Sequence, residues 1–382
     1  MRVLSYTTLY PSPEQPLHGL FVKHRLDRLS EKHEVQVVAP VDVLRTPGHV
    51  VNRGRAGSGV LHPWCALMPR WRKHRDGEWL FRQTWPQMRL ALRLERYDVL
   101  DLHYAYPDGF AGGRIARALN KPYVLSVRGS DLNVLARCPR RRPLIAQTVC
   151  GAAAVIAVSS ALGRAAVALG ADPARVHVIP NGVDRAMFYP VDRPEARRRL
   201  GWDPRGYAVV SVGRLAPVKG FDVLIAAMEV LLARGLDVRA YIVGQGEERG
   251  ALARKIASRG LGGRVVLCGP MAQADLRWCY GAADLFALMS RSEGCPNVVL
   301  EALACGTPVV ATRVGGVPDL MADGRHGALV APGDADDAAH AMAGALNTRW
   351  DRDALAAGVA SNEWSAVARR HGEVLQRAAE AA

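Results

Sequence analysis

The chain has 382 residues, 49% hydrophobic and 23% charged, so it can bury a proper core and is not a disordered polymer. No apolar stretch approaches the roughly 18 uncharged residues that a membrane span needs, and at roughly 100–200 residues per domain two domains are expected. Net charge is +14, and residues 1–190 carry 27 Lys/Arg against 14 Asp/Glu while the rest carry 23 against 22, so the first half faces an anionic partner. The seven cysteines (65, 138, 150, 268, 279, 295, 305) are odd in number, scattered and without a Cys-x-x-Cys pair. That argues against a disulfide framework or zinc site and for reduced thiols in the cytoplasm.

The N-terminus enters a strand at Arg2–Tyr6 without the pattern of a signal peptide. A helix follows over Phe21–Lys32, with Phe21, Val22, Leu26 and Leu29 at helical spacing. Short apolar runs at Val35–Ala39, Val99–Leu102, Tyr123–Val127, Val155–Val158 and Val176–Ile179 read as further strands of a parallel α/β sheet. After a linker around Phe188–Leu200 a second series begins: Ala208–Val212, Val238–Val243, Val265–Cys268, Leu285–Leu288, Val309–Ala311 and Ala328–Val330. From about Asp351 the tail reads as helical, with Trp364, Val367 and Ala368 on an apolar stripe. The fold class is therefore α/β, two doubly wound Rossmann-like domains at 1–187 and 188–360, with a C-terminal helix over 361–382.

The second series holds the most informative motif. In Ser292-Glu293-Gly294-Cys295-Pro296-Asn297-Val298-Val299-Leu300-Glu301 the first glutamate opens a loop and the second lies one turn into a helix. Backbone N–H groups of Gly294, Cys295, Asn297 and Val298 converge at that helix start, where an anionic group is favoured. An ionised carboxylate on each side accepts hydrogen bonds from a diol, and a nucleotide-sugar offers two diols flanking a diphosphate. Upstream, Gly213-Arg214 and Lys219-Gly220 place a planar fork and a point charge five residues apart after a strand, suited to two neighbouring phosphates. Val243-Gly244-Gln245-Gly246 lacks the third glycine of a dinucleotide fingerprint, having Arg249 there, and reads as a tight strand-to-helix turn.

Together these segments resemble the E-x7-E and G-R-x-x-x-x-K-G elements of the retaining family-4 glycosyltransferases of GT-B fold, and the likeness covers nearly the whole chain. The resemblance implies that Glu293 holds hydroxyls of the donor sugar, that Glu301 holds the ribose, and that Arg214 and Lys219 stabilise the departing diphosphate. Gly269, ending Val265–Gly269, is placed beside the base, and the Cys295-Pro296-Asn297 loop helps choose the sugar. It also implies that the C-terminal helix crosses back onto the first domain.

In the first half, Leu17-His18-Gly19 joins strand to helix, and Gly19 lets backbone approach a ligand closely. His103-Tyr-Ala-Tyr-Pro107-Asp108-Gly109 resembles a stretch of polysaccharide-building, teichuronic-acid-type members, with His103 at a strand's C-terminal end and Asp108 expected as a helix N-cap. Where many members carry His-Gly-x-Asp, this chain has Arg128-Gly129-Ser130-Asp131; Arg128 cannot act as a base and either binds an anion or pairs with Asp131. His103, Arg128 and Asp131 are thus assigned to the acceptor or sugar side. Ile179-Pro180-Asn181-Gly182 reads as hinge structure, and Asp334, Asp336 and Asp337 as helix-capping residues.

The expected activity is transfer of a hexosyl group from a nucleotide-diphosphate sugar to a glycan or lipid-linked glycan, with retention and without metal or other cofactor. Two alternatives stand beside it: a GT-B sugar-nucleotide epimerase, and a non-catalytic binder of sugar nucleotides or anionic polymers. No nucleic-acid motif or aromatic stacking pattern is present. Trp64, Trp71, Trp79 and Trp85 lie among eight basic residues between Pro63 and Arg96, a mixture suited to the headgroup zone of an anionic membrane. Peripheral attachment at the inner face of the membrane is the expected location.

Overall fold

The computed structural model describes residues 1–12, 15–44, 60–68, 70–321 and 324–381. They form two compact units, one of 1–181 with 364–382 and the other of 182–363. The sequence placed these boundaries at 187/188 and 360/361, six and three residues away from the divisions seen.

In the first unit the strands are β1 (Arg2–Tyr6), β2 (Glu34–Val38), β3 (Val41–Asp42), β4 (Val60–Leu61), β5 (Trp64–Cys65), β6 (Val99–His103), β7 (Tyr123–Val127), β8 (Ala154–Ala157) and β9 (Val176–Val178). Seven make one parallel sheet in the order β4-β2-β1-β6-β7-β8-β9, and β3 pairs with β5 beside it. Its helices are α1 (Leu20–Ser30), α2 (Asp76–Ala91), α3 (Phe110–Leu119), α4 (Ser130–Asn133), α5 (Arg142–Cys150) and α6 (Ser160–Val167). The apolar runs of β6, β7 and β8 are buried along their whole length, as a sheet covered on both faces requires.

In the second unit the strands are β10 (Tyr207–Val212), β11 (Val238–Val243), β12 (Val265–Gly269), β13 (Leu285–Leu288), β14 (Val309–Thr312) and β15 (Gly327–Val330), all parallel in the order β12-β11-β10-β13-β14-β15. The helices are α7 (Arg193–Leu200), α8 (Phe221–Ala233), α9 (Arg249–Ser258), α10 (Leu276–Ala282), α11 (Asn297–Ala304), α12 (Val317–Leu320), α13 (Ala335–Asn347) and α14 (Arg352–Gly358). Two apolar clusters fill this unit, one containing Phe286, Leu288 and Leu300 and the other Val209, Leu224 and Ile242.

One expectation is corrected here. Residues 188–200 are not a linker: Phe188 is buried against Tyr280, and Arg193 and Arg197 of α7 both grip Asp284, which also accepts the Ala208 N–H. The tail is helical from Arg352, in two pieces. It breaks at a short turn over Ala360–Asn362, after which α15 (Trp364–Glu380) begins. Helix α15 belongs to the first unit, where Trp364, Val367, Val374 and Leu375 share a core with Val22, Leu26 and Leu29 of α1. At roughly 2 kcal/mol per fully buried apolar side chain, that stripe is ample to hold the returning helix.

Candidate functional site

In an open parallel sheet, ligands collect at the carboxyl ends of the two strands where the winding reverses. In the second unit those strands are β10 and β13. Lys219, seven residues beyond β10, and Glu293, five beyond β13, meet there. Lys219 Nζ lies 2.7 Å from Glu293 Oε1, and Ser290 Oγ donates to the same oxygen at 2.6 Å. The Lys219 and Glu293 side chains are 24% and 9% exposed, so this ion pair is sheltered from solvent screening. The sequence named both residues without indicating that they touch.

The loops are fitted to each other by backbone. Gly220 has φ +63°, and a Cβ there would lie 1.8 Å from the Met289 carbonyl oxygen; Gly315 (φ +53°) closes on the Glu293 carbonyl oxygen at the same distance. Any side chain at either position would drive the β10 loop from β13, or β14's loop from Glu293. Arg291 adds a clasp that sequence reasoning missed. Its N–H donates to the Val218 carbonyl at 2.7 Å, and its guanidinium forks onto Asp222, whose carboxyl that hydrogen bond holds below its usual range.

Arg214 forks onto Glu247, at 3.2 Å from Nε and 3.0 Å from a terminal nitrogen. With side chains 71% and 52% exposed, that pair contributes little and exchanges readily for a better anion. The Gly244-Gln245-Gly246 turn that carries Glu247 is the strand-to-helix connection expected, its Gly244 N–H bonded to the Gly269 carbonyl at the end of β12.

Helix α11 starts at Asn297 with Pro296 in the capping position and no side-chain cap. Gly294, Cys295, Asn297 and Val298 are half-buried around this start. Glu301 is 7% exposed, and its Oε2 accepts from Tyr280 Oη at 2.8 Å. Burial pushes its carboxyl up to about 7. The picture of two waiting ionised carboxylates is therefore revised: Glu293 is already engaged by Lys219, and Glu301 holds its proton up to near neutral pH.

In the first unit the winding reverses between β1 and β6. Gly19, with φ +68°, opens α1 after β1 and lies against the Leu9 carbonyl. Asp108 is not a helix N-cap. It is buried, and its carboxylate accepts from the Thr8 N–H (2.6 Å) and hydroxyl (2.9 Å), so it fastens the loop after β1 to the loop after β6. Burial pushes it up to about 7.

His103 ends β6 fully buried. Its Nε2 lies 2.9 Å from Asp101 Oδ2, and Asp101 Oδ1 faces His371 Nε2 of α15 at 3.0 Å. Burial drives His103 down to about 4 and lowers His371 also. Burial alone would raise Asp101, but the two imidazoles outweigh it and hold the carboxyl well below its usual range. Neutral His103 then donates from Nε2 and accepts at Nδ1, where the Arg128 guanidinium approaches to 2.7 Å. Arg128 also reaches Asn181 Oδ1 (3.2 Å) and lies over the Phe21 ring. The suggested Arg128–Asp131 side-chain pairing is replaced by this arrangement. Asp131 accepts backbone N–H groups from Ala105, Arg128 and Gly129, because it closes the start of α4.

Asp101, His371, Asn181 and Arg25, which donates to the Pro180 carbonyl at 3.0 Å, were missed by sequence reasoning. His371 continues the 364, 367, 368 stripe of α15, so its spacing was the available signal. Asn181 was read as hinge alone. Asp334 does cap α13 through the N–H groups of Asp336 and Asp337.

Two sequence profiles match this chain, one described as Glycosyltransferase Family 4 over residues 19–186 and one as Glycosyl transferases group 1 over residues 206–348. A D-inositol 3-phosphate glycosyltransferase of Pseudarthrobacter chlorophenolicus is 36% identical over 290 residues, 72% of this chain and 69% of that protein. The chain belongs to the family-4 glycosyltransferases of GT-B fold. Within that family, a D-inositol 3-phosphate glycosyltransferase of Segniliparus rotundus is 42% identical over 164 residues, 42% of this chain; the match spans only 36% of that relative's length. Among solved structures, sucrose-phosphate synthase from Thermosynechococcus elongatus superposes with a TM-score of 0.83 at 20% identity, covering 100% of this chain and 99% of the other. Anabaena HepE in complex with UDP superposes with 0.78 at 21% identity, covering 99% and 100%. These two likenesses concern the fold, the two Rossmann-like units with their parallel sheets.

Proposed function

We propose that this protein is a retaining glycosyltransferase that moves a hexosyl group from a nucleotide-diphosphate sugar to a glycan or lipid-linked glycan. The observation that carries the reading is the Lys219–Glu293–Ser290 contact at the β10/β13 switch point. The family membership and the UDP and UDP-glucose complexes of HepE support a nucleotide-sugar donor.

In this reading the diphosphate takes the place of Glu247 on Arg214 and shares Lys219. Glu293, oriented by Lys219 and Ser290, turns its remaining acceptor capacity to the sugar hydroxyls. Glu301 accepts from the ribose, and the α11 start, Gly294 to Val298, faces the diphosphate. Gly269 lines the base. The acceptor hydroxyl attacks the anomeric carbon on the face from which the diphosphate leaves. The carbon–oxygen bond to phosphate breaks with its electron pair on the phosphate oxygen, which takes the acceptor's proton. Positive charge at Arg214 and Lys219 lowers the cost of that leaving group, so no metal is required.

His103, Arg128 and Asp131 belong to the acceptor or sugar side, with Arg128 a fixed cation rather than a base. One further acceptor class is favoured by that cation and by the name of the relatives: a phosphorylated polyol. The working place proposed is an anionic membrane surface, in keeping with cytoplasmic, peripheral attachment. On α2 and its flanks Arg75, Trp79, Arg82, Pro86, Arg89, Leu90 and Arg93 form one exposed stripe, with Trp79 41% and Leu90 92% exposed. Trp64 stands exposed beside it, Trp85 is half-buried under Arg89, and the Arg70 and Trp71 side chains lie outside the described residues. No helix among the described residues is long and apolar enough to cross a membrane.

The test is transfer from UDP-, GDP- and ADP-sugars to lipid-linked glycans and to inositol phosphates, with the product's anomeric configuration read by NMR and EDTA present. Retention at an undiminished rate is expected. An inverted product, or activity abolished by EDTA and restored by a divalent cation, overturns the mechanism.

A further inference from the structure

At the amino ends of the first unit's strands, opposite the carboxyl ends that carry His103 and Arg128, a cavity of about 420 Å³ opens between α3 and α5. It lies where β7 and β8 begin, lined by Pro122, Tyr123, Ala152 and Ala153. Four cations border it, Arg114, Arg117, Lys121 and Arg175, and none of its lining residues is acidic.

The charge there does not balance internally. Arg114 pairs with Glu78 of α2, and Arg175 with Asp172. Arg117 and Lys121 have no ion-pair partner among the described residues. The C-terminal ends of α3 and α5 open nearby, and each carries about half a negative charge. Two full positive charges against two halves leave roughly one positive charge to be met from outside. Tyr123 supplies an aromatic wall, its hydroxyl already given to the Thr148 carbonyl, and Gln147 an amide. The Gly151 position keeps the cavity open, since a Cβ there would lie 2.6 Å from the Tyr123 hydroxyl.

We infer that this cavity is a phosphate-binding site, separate from the glycosyl-transfer site, that takes one phosphate monoester or diester. Arg117 and Lys121 are its anchors, the first as a fork and the second as a point charge. Arg114 reaches α2 both through Glu78 and by lying over Phe81, so the cavity adjoins the exposed Trp79 stripe. That neighbourhood fits a phospholipid headgroup; a free phosphate ester presents the same chemistry. Only the lipid source rests on the membrane reading given above.

The experiment compares the wild-type chain with Arg117→Glu/Lys121→Glu, two substitutions on a solvent-facing rim whose fold is checked by an unchanged melting midpoint. Should the double reversal lower that midpoint, Arg117→Gln/Lys121→Gln carries the comparison. Glycerol 3-phosphate is titrated calorimetrically, and vesicles of phosphatidylglycerol or phosphatidylcholine are sedimented with the protein. A glycerol 3-phosphate site that weakens roughly 30-fold in the variant, beside any acceptor-side site at Arg128 that both proteins keep, supports the inference. A parallel loss on phosphatidylglycerol alone assigns it to lipid; loss for glycerol 3-phosphate without change on vesicles assigns it to a free ester. Lys219→Ala is expected to keep this binding, and the double variant to keep transfer to a soluble acceptor, so that failure of the transferase reading leaves this test intact. Equal binding of both probes by wild type and variant, or no binding of either probe by the wild type, overturns the inference.

Discussion

The two units place polar residues at the same topological position and use them differently. At the β1/β6 reversal the groups are buried and bonded to one another: His371, Asp101, His103 and Arg128 follow one another at 2.7–3.0 Å, with Asp108 and Asp131 closed onto backbone N–H groups, while His371 Nδ1 has no hydrogen-bond partner among the described residues. At the β10/β13 reversal each cation is held by a single carboxylate, Lys219 by the sheltered Glu293 and Arg214, more loosely, by the exposed Glu247. A network in low dielectric fixes geometry and is costly to break. An accessible ion pair can be exchanged for a ligand's charges. The comparison teaches that one switch point is built to hold shape and the other to change partners.

The largest effect that could break this contrast is on turnover. Lys219→Ala and Arg214→Ala are each expected to slow transfer by about 10²–10³-fold, with thermal stability nearly unchanged in Arg214→Ala, whose pair is exposed. Retention of more than half the activity by either variant at saturating donor would contradict the donor-site account. The complementary substitution is Asp101→Ala, which removes the carboxylate that two imidazoles share. It should destabilise the first unit by roughly 3 kcal/mol in urea unfolding and leave donor affinity in place. A variant as stable as the wild type would mean that the buried chain does not hold the unit.

A subtler effect separates the carboxyls by pH. Glu301 and Asp108 both sit near 7 when folded, above their ordinary values, so the folded state keeps protons that the unfolded state has lost. Their contribution to stability therefore declines as pH rises from about 4 to about 7. Glu301→Gln and Asp108→Asn should each flatten part of that decline. Donor affinity should run the other way, improving as pH rises through 7 because the ribose needs the ionised Glu301, and Glu301→Gln should erase that dependence. The smallest effect belongs to the α2 stripe, where Trp79→Ala or Arg82→Ala should weaken vesicle sedimentation by about 1 kcal/mol each, less at high salt. Salt-independent binding equal on anionic and zwitterionic vesicles would remove the membrane from the account.

Much of this arrangement is legible in the sequence because local pattern determines it. The strands and the Arg214, Lys219, Glu293 and Glu301 spacings all lie within short windows. Long-range pairing is not written that way. Nothing near position 219 indicates that Lys219 meets Glu293, and the His371 partner Asp101 is distant in the chain. Asp108 misled for the same reason: its position before a helix favours a cap, while tertiary structure turns it onto Thr8. Residues 188–200 looked polar enough for a linker because α7 is rich in arginine, yet Arg197 is buried, since Asp284 and the Ala282 carbonyl satisfy it.

The most direct test of the central claim is a thermal-shift series with UDP-, GDP- and ADP-sugars on the wild-type chain and on Lys219→Ala. A nucleotide-sugar at about 100 times its dissociation constant should add roughly 2.7 kcal/mol to the wild type, and much less to the variant. If every nucleotide-sugar left both melting temperatures unchanged, or shifted both equally, the β10/β13 switch point would not be the donor site.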